Sequence, residues 1–135
     1  MNVSVGFAKY FFVDAAPKPV APFSHATECD GWVFVTGQMP TWPDDPSAPI
    51  PEGIEAQTHR VMQNLHIVLK GIGLGFEHVV RAGAYLTDFK NDYAAFNRIY
   101  ASYFPSGKLP ARTCIGVTAL AVDASVEVDF VARRP

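Results

Sequence analysis

Near its C-terminal end the chain reads Leu109-Pro110-Ala111-Arg112-Thr113-Cys114, and then Val126-Glu127-Val128-Asp129-Phe130-Val131. Both stretches alternate in polarity, and successive side chains of a strand point to opposite faces of a sheet, so both predict β-strands. With a turn at residues 121–124, antiparallel pairing would set Val117 against Val128 and Ile115 against Phe130. We therefore expect Arg112, Cys114, Glu127 and Asp129 to share the face opposite the core.

This predicted polar face suggests a binding site for a small organic acid. A guanidinium and a carboxylate on a rigid sheet can hold a carboxylic acid beside a water molecule. The alternative is an ordinary solvated face with an incidental ion pair, since exposed charges are common. Cys114 and Gly116 favour the functional interpretation, because small or apolar residues between charged ones indicate a face that something covers.

Composition is typical of a globular protein. Of the 135 residues, 49% are hydrophobic and 18% charged, so we expect one domain spanning residues 1–135. No apolar run is long enough to cross a bilayer and no charged-then-apolar leader opens the sequence, so we expect a cytoplasmic protein without a membrane partner. The net charge of -2 argues against nucleic acid as a partner.

The cysteines and histidines do not form a metal-binding pattern. Cys29 and Cys114 have no metal-like spacing, and we expect both to be thiols. His59 and His66 fall on one predicted helix, but they stand seven residues apart, which is too far for a bidentate pair. We therefore expect no metal site.

The remaining elements predict an α+β fold. Strands are expected at 8–13, at 23–28 and 32–36 as a hairpin, and at 79–86. Helices are expected from Ile54 to the glycines near residue 71, and after Asn91 as N-cap. The proline-rich stretch 37–53 predicts an irregular loop, and the aromatic stripe Phe96, Ile99, Tyr100 and Tyr103 predicts a core face.

Two such helices should pack on one face of a largely antiparallel sheet. The other face, on which Arg112 and Glu127 are expected, would be left uncovered within the chain. Self-association is the simplest cover, so we expect a homo-oligomer with this face at the subunit interface.

At this point the sequence resembles a known family. The matching stretches are Ala21-Pro22-Phe23-Ser24, Phe34-Val35-Thr36-Gly37-Gln38-Met39-Pro40, Pro110-Ala111-Arg112-Thr113-Cys114 and Val126-Glu127-Val128-Asp129, with residues 53–58, 64–65, 79–81 and 93–100. They cover roughly residues 17 to 134 in the family's order. On these motifs the chain is similar to the RidA/YjgF/YER057c/UK114 family of small reactive-imine deaminases.

The resemblance implies a chorismate-mutase-like (YjgF-like) homotrimer with sites in the clefts between subunits. It implies hydrolysis of enamines and imines, such as 2-aminoacrylate, to 2-keto acids and ammonia, without a metal or organic cofactor. By position, Arg112 corresponds to the arginine that binds the substrate carboxylate and Glu127 to the acidic residue that places the attacking water. Gly37, Asn97 and Cys114 correspond to site-lining positions. Phe23 departs from the family, which commonly has tyrosine there.

Three alternatives stay open at this point. The chain could be a deaminase of a larger unsaturated amino acid such as 2-aminomuconate, or a non-catalytic trimer that binds small carboxylates or acts as a chaperone. Family members have also been labelled ribonucleases, which the near-neutral charge disfavours here.

Overall fold

The C-terminal strand occupies an inner position in the sheet. The computed structural model describes residues 7–135. Its elements are β1 (Lys9–Phe11), β2 (Ala26–Cys29), β3 (Trp32–Gln38), α1 (Ile54–Gly71), β4 (Val79–Leu86), α2 (Phe89–Ala101), β5 (Ala111–Gly116) and β6 (Val126–Arg133), with 3-10 turns at Phe76–His78 and Ala121–Asp123. The six strands are ordered β1-β2-β3-β6-β4-β5, so β6 is inserted between β3 and β4.

Strand direction follows from the connections. The pairs β1–β2, β2–β3, β3–β6 and β6–β4 are antiparallel, whereas β4 and β5 are parallel. Parallel neighbours need a crossover between them, and α2 supplies it. The fold is therefore α+β with a largely antiparallel sheet, as expected.

The predicted hairpin between β5 and β6 is wrong. Strand β4 lies between them, so Val128 pairs with Ala84 and Gln38, and Phe130 pairs with Ala82 and Val35. Both segments form strands as predicted, but alternation only divides the side chains of a strand between two faces and does not determine which strand lies beside it. The crossover through α2 directs β5 to β4, and β6 then returns to the gap beside β3.

The core lies between the sheet and the two helices, which pack on one face as predicted. It is built from side chains of α1, α2 and the inner strands, including Val61, Leu65, Leu69, Phe96, Leu86, Val126, Val128 and Phe130. Phe96, Ile99 and Tyr100 of the predicted aromatic stripe are buried, whereas its fourth member, Tyr103, is only half-buried. No helix among residues 7–135 has the length and apolarity that a membrane span requires.

Local turn chemistry explains the ends of several elements. Asp30 and Gly31 have φ values of 53° and 83°, which suits the tight turn between β2 and β3 and confirms that hairpin. Helix α2 begins one turn earlier than predicted, because Asp88 and not Asn91 precedes it. Asn91 lies in the first turn and donates to the Asp88 carboxylate at 2.9 Å.

The proline-rich loop after β3 is attached to α1 by two buried amides. Asn64 donates to the carbonyls of Met39 and Thr41 at 2.9 and 2.8 Å, and Gln57 donates to the Pro51 carbonyl at 3.0 Å. These bonds satisfy backbone groups that a loop cannot satisfy by itself. They hold the loop beside the end of β3, where Gly37 lies.

Candidate functional site

Arg112 lies on the helix side of the sheet, against aromatic rings of α2. Its guanidinium carbon is 4.9 Å from the ring centre of Tyr100, 5.5 Å from that of Phe96 and 5.9 Å from that of Tyr93. The rings recur on one face of α2 because their spacing is three and four residues. A guanidinium over aromatic faces is held by cation–π attraction, which orients its plane without using its N–H groups.

Those N–H groups remain available for a ligand. Among residues 7–135 no carboxylate lies within salt-bridge distance of Arg112, and its one side-chain hydrogen bond is a long one, 3.5 Å, to the Tyr93 hydroxyl. A planar fork of donors matches a carboxylate in geometry and charge. The Arg112 side chain can therefore bind an organic anion through these N–H groups.

A pocket of about 250 Å³ adjoins this guanidinium. Its lining is formed by Asn97, Tyr100, Ala101, Leu109, Pro110 and Arg112. Arg112 is the one cationic side chain in that lining, and most of the wall is apolar. A concave apolar wall with a single charged group is typical of a site for a small organic ligand.

Two buried polar atoms belong to residues of the same pocket. The side-chain oxygens of Asn97 and Tyr100 have no hydrogen-bond partner among the described residues. Burial raises the pKa of Tyr100 to about 12, so its hydroxyl stays protonated at physiological pH. Burial also raises the pKa of Cys114, only partly offset by Arg112, which keeps the thiol neutral and argues against a nucleophilic role.

Glu127 lies on the opposite face of the sheet, beside the end of β3. A Cβ atom at position 37 would collide with the Glu127 carboxylate, so Gly37 provides the space that this carboxylate occupies. Position 37 lies in the irregular stretch between Val35 and Gln38, where the β3–β6 register shifts. Burial, and next the charge of Asp129, raise the pKa of Glu127.

Asp129 is fixed by two donors on β4. The backbone N–H of Gly83 donates to one carboxylate oxygen at 3.1 Å, and the Tyr85 hydroxyl donates to the other at 2.9 Å. A side chain at Gly83 would collide with this pair. The hydrogen bond to Asp129 is the largest of the effects that raise the pKa of Tyr85. The Asp129 carboxylate is therefore fixed on the same face of β6 as Glu127, two residues along the strand.

Phe23 belongs to the neighbourhood of Glu127 and not to that of Arg112. It lines a small crevice together with Gly37, Met39 and Thr41. The structure thus gathers the predicted residues into two groups. We call Asn97, Arg112 and Cys114 the arginine group, and Phe23, Gly37 and Glu127 the glutamate group.

The expectation that Arg112, Cys114, Glu127 and Asp129 share one face is wrong. Arg112 pairs with Ala82, which pairs with Phe130, so this row points to the helices. Glu127 pairs with Tyr85, which pairs with Ile115, and this row points to the open face. The sheet therefore separates the two groups within one chain.

The physical reason is that β5 is an edge strand. Ile115, expected in the core, is 47% exposed, while Arg112 and Cys114 are only partly buried. At an edge, hydrophobicity weakly determines which face turns inward, and the rings of α2 accommodate a guanidinium there.

Sequence reasoning missed the aromatic surroundings of Arg112 and the donors of Asp129. The aromatic stripe predicts only a core position for Tyr100 and Phe96, and the pattern of residues 79–86 does not mark Tyr85 as a donor. The available signal was the three- and four-residue spacing of Tyr93, Phe96 and Tyr100, which places three rings on one side of α2. Both cysteines are free, and residues 7–135 contain no cluster of potential metal ligands.

Comparisons of this chain with a family model, with known sequences and with solved structures agree with one another. Residues 13–134 match the family described as endoribonuclease L-PSP. The chain is 39% identical over 120 residues to a RutC family protein of Synechocystis, covering 89% of this chain and 92% of that one. It superposes with a TM-score of 0.86 on E. coli TdcF with bound serine, at 26% identity over 94% of this chain and 99% of that one. With RidA from an Antarctic Psychrobacter the TM-score is 0.85, at 26% identity over 93% and 98% of the two chains.

Proposed function

The chain belongs to the L-PSP endoribonuclease family, which includes the RutC and Rid proteins, and on that premise we propose that it hydrolyses reactive imines and enamines. The substrates proposed are the unsaturated forms of small 2-amino acids, such as 2-aminoacrylate, and the products are 2-keto acids and ammonia. The observation that carries the proposal is the guanidinium of Arg112, which lines a largely apolar pocket and has no carboxylate partner among residues 7–135. Serine, bound in the related TdcF, is itself a small amino acid with a carboxylate.

In this proposal Arg112 binds the substrate carboxylate. The aromatic rings fix the plane of the guanidinium, so two N–H groups can donate to the two carboxylate oxygens. Fixing the carboxylate also fixes the adjoining C=N carbon, which converts a bimolecular encounter with water into a positioned one. The apolar pocket wall receives the side chain of the substrate.

Glu127 acts as the general base. Its raised pKa makes the carboxylate a stronger base than an exposed one. It takes a proton from water as the water oxygen bonds to the C=N carbon of the imine. That proton passes to the imine nitrogen and gives a carbinolamine, which carries a hydroxyl and an amino group on one carbon. Glu127 then transfers the hydroxyl proton to the amino nitrogen, the C–N bond breaks with its electrons going to nitrogen, and ammonia leaves as the C=O bond forms. An enamine such as 2-aminoacrylate enters this sequence after tautomerising to the imine, when its methylene carbon gains a proton and its nitrogen loses one.

The two groups would meet between copies of the chain. Because the sheet separates them within one chain, the complete site needs the arginine group of one copy and the glutamate group of the next. A homotrimer supplies three equivalent sites of this kind. The open face supports association, since Phe34 and Trp32 are 49% and 45% exposed there.

An imine assay tests the proposed activity. An amino acid oxidase generates the imine in situ, and its disappearance is followed by trapping the remaining imine with semicarbazide. We expect wild-type protein to accelerate imine loss above the buffer rate and Arg112→Ala to lose more than tenfold of that effect, because the carboxylate is no longer held. Arg112→Lys should be nearly as poor, since an ammonium cannot reproduce the donor fork.

Arg98→Ala is the matched control for this assay. Arg98 lies next to Asn97 on α2 but forms an exposed ion pair with Glu55 at 3.0 Å. Exposed pairs contribute little, so this variant should retain full activity. Arg112→Ala with an unchanged rate would refute the proposal.

The other functions fit the pocket less well. The substrate 2-aminomuconate carries a second carboxylate, for which the pocket offers no second cation among its lining residues. A purely binding protein would bind 2-keto acids without accelerating imine loss. Ribonuclease activity, which the family description names, would have to survive Arg112→Ala and persist through purification to displace the deaminase proposal.

A further inference from the structure

The side chain of Tyr100 is buried with an unused hydroxyl. Tyr100 is only 4% exposed, and its hydroxyl oxygen finds no hydrogen-bond partner among residues 7–135. A buried hydroxyl without a partner costs free energy compared with the phenyl ring of phenylalanine, which would fill nearly the same space. A group of this kind needs an explanation, and function is one of the recognised ones.

The position of Tyr100 points to a ligand. The residue lines the pocket that holds Arg112, and its ring is the closest of the three aromatic rings to the guanidinium, at 4.9 Å. One helical turn earlier, the side-chain oxygen of Asn97 is also buried without a donor. Two buried polar atoms without a partner among residues 7–135 thus belong to two residues that line the same pocket as Arg112, so a ligand in this pocket has unused hydrogen-bonding capacity beside it.

We propose that Tyr100 is a substrate-binding residue whose hydroxyl donates a hydrogen bond to the carboxylate that Arg112 binds. The hydroxyl is closed to solvent in this conformation, so binding includes a rotamer change of Asn97 or Arg112, of a kind common at binding sites. Tyr100 then contributes a neutral donor and Arg112 a charged fork. Together they distinguish a carboxylate from an uncharged amide or ester of the same size.

This inference rests on the proposed function only in assuming that a small carboxylate binds at Arg112. The test therefore measures binding and not turnover. Pyruvate is titrated into the assembled wild-type protein and into Tyr100→Phe by calorimetry. We expect Tyr100→Phe to weaken binding of pyruvate by roughly tenfold or more, the usual effect of losing a hydrogen bond to a charged group. We expect its melting temperature to be unchanged or higher, because an unsatisfied hydroxyl has been removed.

The opposite pair of results would overturn the inference. If Tyr100→Phe binds pyruvate within twofold of wild type, or if it melts lower without losing affinity, the hydroxyl has a structural role only. Tyr103→Phe serves as the control. It removes the same atom from a tyrosine two residues beyond the end of α2. The Tyr103 hydroxyl is hydrogen-bonded to His59 at 2.7 Å, and Tyr103 does not line the pocket. Its affinity for pyruvate should not change.

Arg112→Ala separates the failure of this inference from that of the proposed function. If Arg112→Ala abolishes pyruvate binding and Tyr100→Phe does not weaken it, Tyr100 has no role while the arginine site stands. If Arg112→Ala binds pyruvate as wild type does, or if wild type binds none at millimolar concentration, the arginine site fails and this inference fails with it.

Discussion

Glu127 combines a half-buried position with a like-charged neighbour, two conditions that make a carboxylate costly to ionise. Its pKa is raised first by burial and then by the charge of Asp129. Asp129 in turn is held in place by Gly83 and Tyr85. The chain thus keeps at this position an acid that binds its proton more tightly than a surface glutamate, at some expense in stability.

The pH profile should report the influence of Asp129. Asp129→Asn removes the neighbouring charge, so the pKa of Glu127 falls and the acid limb of kcat/KM for imine hydrolysis moves to lower pH. Asp123→Asn, in an exposed turn where φ is 58°, is the matched control and should leave the profile in place. An acid limb that stays put in Asp129→Asn would show that Asp129 does not act on the catalytic base.

Stability should respond to Glu127 in a pH-dependent way. The pKa of the folded state lies above the ordinary value of 4.5, so the folded protein is favoured while Glu127 is protonated and loses that advantage as pH rises through the folded pKa. Glu127→Gln, which cannot ionise, should therefore have a larger free energy of unfolding than wild type at pH 7. The difference should vanish below about pH 4.5.

Denaturant unfolding at pH 4 and pH 7 checks this expectation. The activity of Glu127→Gln should fall at least tenfold, since general-base assistance is lost. Glu52→Gln, at an exposed position in the loop before α1, should show no pH-dependent gain. A Glu127→Gln protein that is less stable than wild type at pH 7 would contradict the burial argument.

Strand β3 contributes to the site through an irregularity. Where its register with β6 shifts, Gly37 leaves room for the Glu127 carboxylate. We therefore propose that this irregularity serves the proposed site, since bulges often lie next to active sites.

Gly37→Ala tests this use of the bulge. Its Cβ would displace the Glu127 carboxylate, so we expect kcat/KM to fall more than tenfold, while the free energy of unfolding changes by about 1 kcal/mol or less. Gly75→Ala is the control, because its Cβ would likewise collide with a glutamate carboxylate, that of Glu77, but far from either group. Equal effects of the two substitutions on activity would rule out a specific role for Gly37.

The elements also show how far the sequence could predict the fold. Short-range sequence signals were sufficient to predict features that depend on neighbouring residues, such as the Asp30-Gly31 turn and helix α1. The insertion of β6 between β3 and β4 was not predictable, because its alternation is compatible with any neighbour. The site residues could be selected by type and by family resemblance. Their division between two faces depended on β5, an edge strand whose apolar residues predicted the wrong inward face.

At the scale of the whole molecule, the open face of the sheet is the face on which neither α1 nor α2 packs. It carries the glutamate group together with exposed aromatic side chains, while the arginine group lies on the other side. A ring of copies could bring unlike groups together at each contact, which is the arrangement proposed above.

Mixed assemblies test the sharing of sites between copies. Arg112→Ala and Glu127→Gln proteins should each retain a tenth of wild-type activity or less when assembled alone. After they are unfolded together and refolded in equal amounts, some contacts combine the intact arginine group of one copy with the intact glutamate group of the other. Random assembly predicts about a quarter of wild-type activity. Mixtures no more active than the two proteins alone, although mass measurements show mixed trimers, would place both groups of a site in one chain.

The separation of the two groups by the sheet has a genetic consequence. If each copy contributes to two different sites, one defective copy in a ring of three silences two sites when it lacks both Arg112 and Glu127. A cell expressing equal amounts of normal and doubly defective chains would then retain about a quarter of its sites and not half. Such an allele would behave as partially dominant, even though its product folds and assembles normally.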